Sequence, residues 1–227
     1  MWMNLSLQDA NSPTMEHMIF FHDHSMILMI LIISSILYIL YKMLLNSFSF
    51  STSIKNEFME FIWTIIPILI LILIALPSMK LLYFFEEEIS LPLLTIKILG
   101  NQWFWSYEYP EFLNVSFDSY PIMFSLLNNK FNLNFLDTDT HLILPFEANI
   151  RLLTLSKDVI HSWSIPNLGI KMDSIPGRIN QMNLISNRPG IYFGNCMEIC
   201  GENHSMMPIS LEITSLKNFF SWCKSFN

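Results

Sequence analysis

The chain has 227 residues, 52% hydrophobic and only 14% charged, with a formal net charge of -7. Soluble proteins carry roughly a quarter charged residues, so this composition puts part of the chain in lipid. The acidic balance excludes nucleic acid, which needs a basic footprint, and favours a basic partner drawn in by long-range attraction.

Residues 1–25 are polar and mixed. They carry Asp9, Glu16 and Asp23 and neither Lys nor Arg, so they lack the basic start of a secretory or transit peptide and no cleavable leader is expected. Met26 to Leu45 is then almost wholly apolar, and a second run from Phe61 to Met79 holds no charge. At 1.5 Å per residue, a run of that length spans about 28 Å, close to the hydrocarbon thickness of a bilayer. Two membrane helices are predicted, over about residues 26–45 and 61–82. Pro67 interrupts the second, which lipid tolerates where neighbouring helices or side chains satisfy the freed carbonyl. The connection from Asn46 to Glu60 is short, so the helices form a hairpin with both termini on one side. Lys42 and Lys55 bound that connection. The positive-inside rule then puts the loop in the cytoplasm or matrix and the termini outside.

The pattern changes at about Leu91. Short β-branched and aromatic segments recur between turn signals, at Leu94–Leu99, Gln102–Tyr109, His141–Leu144, Asn149–Ser156, Val159–Trp163, Gln181–Ile185, Ile191–Gly194 and Ile209–Ile213. That spacing predicts an antiparallel β-sandwich or barrel over residues 91–227, set apart from an N-terminal tail and hairpin over 1–90. Trp103, Trp105, Tyr107 and Tyr109 would share one strand face. Ser215 to Ser225 has apolar residues at helical spacing and predicts a short closing helix.

The segment from Cys196 to Met207 concentrates the chemistry, with two thiols, an imidazole, three thioethers and two carboxylates. The spacing Cys196-x3-Cys200-x3-His204-x2-Met207 brings four donors to one point if the loop curls. A disulfide explains the cysteines but neither His204 nor Met207. Two Cys with two His suit a tetrahedral zinc. Thiolate, imidazole and thioether together form the soft set of a copper electron-transfer site. A second imidazole would come from His141 or His161; His17, His22 and His24 precede the first apolar run and are poorly placed. Cys223 has no ligand partner nearby in sequence and reads as a packed thiol.

The loop Cys196-x-Glu198-Ile199-Cys200-Gly201-x-x-His204-Ser205-x-Met207-Pro208 resembles the binuclear copper A site of the cytochrome c oxidase subunit II family. Gln102 to Tyr109, Asp158 to Trp163 and Gly169 to Arg178 resemble three further segments of that family, as does the helical hairpin, in its mitochondrial form. The resemblance implies a two-helix transmembrane hairpin followed by an all-β, cupredoxin-like Greek-key sandwich. It implies that Cys196 and Cys200 bridge two coppers, that His161 and Met207 complete one copper, and that His204 and the Glu198 carbonyl complete the other. The Glu198 carboxylate would bind magnesium at the interface with subunit I, near Asp173. Trp103 would be the ring through which electrons enter from cytochrome c, which the acids Glu108, Glu111, Asp118, Asp139 and Asp158 would help to dock. Glu60 would lie at the entrance of a proton path into subunit I. The implied setting is the mitochondrial inner membrane, with both termini and the copper domain in the intermembrane space, among the other subunits of complex IV and membrane lipid. A quinol oxidase subunit of the same fold lacks the copper set and is disfavoured by the intact cysteines and histidines.

Overall fold

A computed structural model of the chain describes residues 6–49, 55–86, 91–112, 115–122 and 135–226. They divide into a β unit, formed by residues 1–16 and 88–227, and a helical unit over residues 17–87. The centre of the hairpin connection and the expected boundary at residue 90 lie outside the described residues.

Helix α1 runs Pro13–Leu45 and α2 runs Glu57–Glu86, both longer than expected. The correction at the start of α1 has a local cause. The Ser12 hydroxyl accepts a hydrogen bond from the Met15 amide (3.1 Å), and Pro13 occupies the first helical position, where its missing N–H costs nothing. The helix therefore starts at its cap, thirteen residues before the apolar run, and carries His17, His22 and His24. Asn56 caps α2 in the same way, its Oδ1 accepting from the Met59 amide at 3.3 Å, so Glu60 falls in the first turn. The mean hydropathies of 2.3 and 2.6 and a length of at least 29 residues suit both helices to a bilayer. Inside α1, Ser34 and Ser35 turn their hydroxyls back onto the Leu31 carbonyl at 3.0 and 2.7 Å, which satisfies them without water.

Pro77 also lies inside α2. It cannot donate to the carbonyl four residues back, that of Leu73. His24 of α1 does so instead, Nε2 donating to the Leu73 oxygen at 3.1 Å. The bond fixes the His24 tautomer and joins the two helices at the level where the ladder is broken.

The first residues belong with the β unit rather than with the hairpin. Asn11 is wholly buried; its amide donates to the Asn167 carbonyl (2.8 Å), and its side chain exchanges hydrogen bonds with the Arg188 backbone (2.7 and 3.1 Å). Ser12 donates to the Leu168 carbonyl at 2.6 Å. One short segment thus ties down two turns of the sandwich.

Among the described residues the strands are β1 (Leu94–Asn101), β2 (Phe104–Glu108), β3 (Ser116–Ser119), β4 (Leu142–Pro145), β5 (Ile150–Ser156), β6 (His161–Ile165), β7 (Ile170–Ser174), β8 (Asn180–Leu184), β9 (Gly190–Cys196) and β10 (Pro208–Thr214). They form two five-stranded sheets, ordered β3-β2-β1-β5-β8 and β4-β10-β9-β6-β7. The eight expected strands are present, with β3 and β7 in addition. The expectation of a purely antiparallel sandwich is corrected: β1 pairs with β5, and β10 with β4, in parallel. A strand paired inside its sheet and covered on both faces reads as a continuous apolar run, which is why β1 is buried at every position but Lys97. Between the sheets lie Trp105, Tyr107, Tyr109, Trp163, Ile96, Ile98 and Leu152, with the Trp163 Nε1–H donating to the Tyr107 hydroxyl at 3.3 Å. Helix α3 (Leu216–Lys224), capped by Ser215, buries Phe219 and Cys223.

Replacing His24 with Leu should weaken the hairpin by about 1 kcal/mol, the usual net worth of one hydrogen bond. In a Pro77→Ala background the restored backbone amide at that position can reach the Leu73 carbonyl, and the same substitution should then cost close to nothing. A double-mutant cycle in detergent unfolding measures this coupling; additive effects would remove the bond from the account.

Candidate metal centre

Strand register builds the centre. β6 and β9 are antiparallel, with Trp163 opposite Cys196, so the Cys196 side chain lies on the same inward face as Trp163 and, two residues along, His161. β9 and β10 are antiparallel with Pro208 opposite Asn195, and the Cys196 amide donates to the Met207 carbonyl at 3.1 Å. Those pairings close the loop Met197–Met206 and bury Met207 at its base. The Met197 amide donates to the Ser162 carbonyl at 3.0 Å and holds the loop against β6.

The ligand atoms of His161, Cys196 and Cys200 lie within 4.8 Å of one another, and all three residues are buried. Both cysteines are free, with Sγ atoms 4.0 Å apart, twice a disulfide bond length. The disulfide reading is thereby set aside for this state. His204 Nδ1 stands 3.5 Å from Cys200 Sγ, and the Cys196 thiol donates to the Glu198 carbonyl at 3.3 Å. His141, the other candidate imidazole, is elsewhere, bound to Asp137 at 2.9 Å.

His161 fits a ligand role. Its Nε2 is held by Asp158 Oδ1 at 2.7 Å, while Nδ1 is buried without a hydrogen-bond partner. A buried imidazole nitrogen left open beside two thiols is costly unless something binds it. The carboxylate–imidazole pair also orients the ring, as metal-binding histidines require. Gly100 of β1 makes room for it: a Cβ there would lie 2.7 Å from His161 Cδ2.

The thiols are not equivalent. Burial by itself raises the pKa of Cys196, but interactions with His161, Ser162, Glu198 and His204 override it and bring the thiol below its usual value. Burial and the neighbouring Cys196 push Cys200 up instead. Two thiolates this close repel, which opposes ionisation of both; a bound cation offsets that repulsion.

Trp103 occupies the turn between β1 and β2, not the strand face it was expected to share, whereas Trp105, Tyr107 and Tyr109 are buried in the core. Its indole packs against the metal loop. A Cβ on Gly201, whose φ of +130° suits only glycine, would lie 3.1 Å from Trp103 Cζ2. Gln102 Nε2 donates to the Cys200 carbonyl at 2.8 Å and pins this contact. Gly100, Gln102, Gly201 and the orienting role of Asp158 were missed in the sequence. Gln102, Asp158 and Gly201 lie in the segments that carry the resemblance, but nothing local in the sequence marks Gly100.

Of the other acids, Asp118 accepts from Ser106 (2.6 Å) and Asp139 from the Tyr120 amide (2.8 Å), and Tyr120 stacks on Phe104 beside Trp103. Glu108 pairs with Lys97 (2.8 Å), and Glu111 accepts from the Thr95 amide (2.8 Å). At about 3.3 Å per residue, their partners Lys97 and Thr95 lie roughly 10 and 17 Å along β1 from Gly100, which packs on His161. The Glu198 carboxylate and Asp173 line a common open cleft of about 610 Å³, with Lys171, Arg178, Asn180 and Gln181. Glu60 is exposed in the first turn of α2, where an acid also suits the helix dipole.

Comparison with known proteins follows the same division. The family described as "Cytochrome C oxidase subunit II, transmembrane domain" matches residues 1–81, and that described as "Cytochrome C oxidase subunit II, periplasmic domain" matches residues 94–214. Cytochrome c oxidase subunit 2 of a Lasius species is 54% identical over 226 residues, covering 99% of this chain and 98% of that protein. The Apis koschevnikovi protein of the same description is 50% identical, covering 100% and 99%. The crystal structure of the periplasmic domain of subunit II of cytochrome oxidase from Bradyrhizobium japonicum superposes with a TM-score of 0.55 at 34% identity, covering 60% of this chain and 94% of that one. The β unit is the cupredoxin-like sandwich of that domain, preceded by two long apolar helices. The chain belongs to the cytochrome c oxidase subunit II family.

Proposed function

We propose that the chain takes electrons from reduced cytochrome c at a binuclear copper A centre and hands them to subunit I, where oxygen is reduced to water with proton pumping. The observation that carries the reading is the convergence of His161, Cys196 and Cys200 with His161 Nδ1 left open. Cys196 and Cys200 would bridge the coppers as thiolates, His161 and Met207 would complete one, and His204 and the Glu198 carbonyl the other. Two coppers so held supply a one-electron couple whose charge is shared across both sulfurs.

The chain's own residues do the rest. The sandwich holds the donors rigid, so little rearrangement accompanies a change of charge. Asp158 holds Nε2 and so keeps the His161 ring oriented, leaving Nδ1 as the nitrogen that would take a metal. Trp103 covers the loop beside Cys200 and presents an aromatic surface to an incoming partner. Asp118 and Asp139 stand on the Phe104–Tyr120 side of that ring and suit a basic docking protein; Asp158 serves His161 first, and Glu108 and Glu111 stand further off. The cleft shared by Glu198 and Asp173 supports a magnesium site facing subunit I. Glu60 is proposed at the mouth of a proton path, and the setting is the mitochondrial inner membrane, with the copper domain in the intermembrane space and the remaining complex IV subunits around the hairpin. A structural zinc in the same donors is the competing reading. Burial of Met207 at the base of the loop favours copper, since zinc draws on Cys, His and carboxylates.

Metal analysis of the purified protein should return two coppers per chain and a mixed-valence electron paramagnetic resonance signal; a single zinc overturns the proposal. Asp158→Asn should lower copper affinity about 10- to 100-fold in a chelator competition, as loss of an orienting partner does. Equal affinity would leave Asp158 as a surface charge. Trp103→Phe should slow reduction by cytochrome c far more than reduction by a small artificial donor, read by stopped-flow spectroscopy. Equal slowing would make Trp103 a packing residue.

A further inference from the structure

The helical unit holds a second cavity, of about 310 Å³, that the copper chemistry does not use. His17, Phe20, Phe21 and His24 of α1 and Lys80 and Phe84 of α2 line it. Its depth follows from the sequence. The four α1 residues precede the apolar run that opens at Met26, and Lys80 directly follows the second run, which closes at Met79. Because the helices are antiparallel, both groups lie at one end of the hairpin, at the level where apolar tails give way to headgroups.

The lining has two chemistries. Three phenylalanines give an apolar wall, and the His17 and Phe84 rings meet edge-on with centroids 4.5 Å apart. Lys80 supplies a fixed positive charge, with His17 and His24 as further nitrogen donors, and no carboxylate lines the cavity among the described residues. Asp23 on α1 is turned to His22 at 3.2 Å. His24 is held in place by its bond to the Leu73 carbonyl, so the break in α2 at Pro77 also sets one wall of the cavity. Further into the apolar run, α2 exposes Leu69, Ile72, Leu73 and Leu76, a track fit for acyl chains.

We infer that this cavity seats the headgroup phosphate of an anionic phospholipid. Its volume suits a phosphoglycerol group but not the chains, which would follow the apolar track. The single lysine sets the preference for negative over zwitterionic headgroups, and the aromatic wall holds the glycerol region at the interface.

The test uses the full chain in phosphatidylcholine nanodiscs containing a minor fraction of phosphatidylglycerol, followed by detergent extraction and counting of retained lipid by native mass spectrometry. The wild-type chain should retain phosphatidylglycerol over phosphatidylcholine. Lys80→Gln should reduce that preference about fivefold, the usual contribution of one basic residue near an anionic surface, and Lys80→Arg should restore it. Inorganic phosphate added at extraction should not displace the lipid. Equal retention of the two lipids by the wild-type chain overturns the inference without recourse to any variant. So does an unchanged preference in Lys80→Gln with intact helical circular dichroism, and displacement by phosphate would make the cavity a free-anion site instead.

Discussion

The register between β6, β9 and β10 is the constraint on which the rest depends. Trp163 opposite Cys196 and Cys196 bonded to Met207 together decide which side chains face inward at the end of the sandwich. Strand side chains alternate, so a slip of one residue between β6 and β9 would turn His161 and Cys196 to opposite faces and leave no site. Gly194 guards this register. A Cβ there would lie 2.0 Å from the Ser164 carbonyl oxygen and force β9 away from β6. The fold and the site are therefore one problem: the core that buries Trp163 also aims the imidazole beside it.

Much of this was legible in the sequence, and the gaps have physical causes. The loop motif announced its donors because metal-binding spacing is local, and the hairpin announced itself through long uncharged runs. β3, Ser-Phe-Asp-Ser, went unread because it is short and polar, and an edge strand needs little apolar signal. The parallel pairings of β1 with β5 and of β4 with β10 join segments far apart in the chain, which no local pattern encodes. The start of α1 was missed because the apolar run marks where lipid begins, whereas Ser12 and Pro13 mark where the helix begins. Asp158 reads as a docking acid because docking and orienting acids look alike in sequence; only the bond to His161 separates them.

The two membrane helices show how a rule can be broken locally and repaired from a distance. Pro77 removes a donor inside α2, and a histidine from the other helix supplies one. The same histidine lines the cavity at the end of the hairpin, so one substitution in α1 would reach both the pairing of the helices and whatever the cavity holds.

The clamp around Asn11 bears on the order of assembly. Its partner Arg188 is 177 residues away in the chain. A ribosome finishes the Asn11 segment and both helices long before the second half of the sandwich exists, so a segment made early is among the last to find its place. Contacts of such sequence separation close slowly. Until then that segment is a loose end waiting for the turn between β8 and β9 to form.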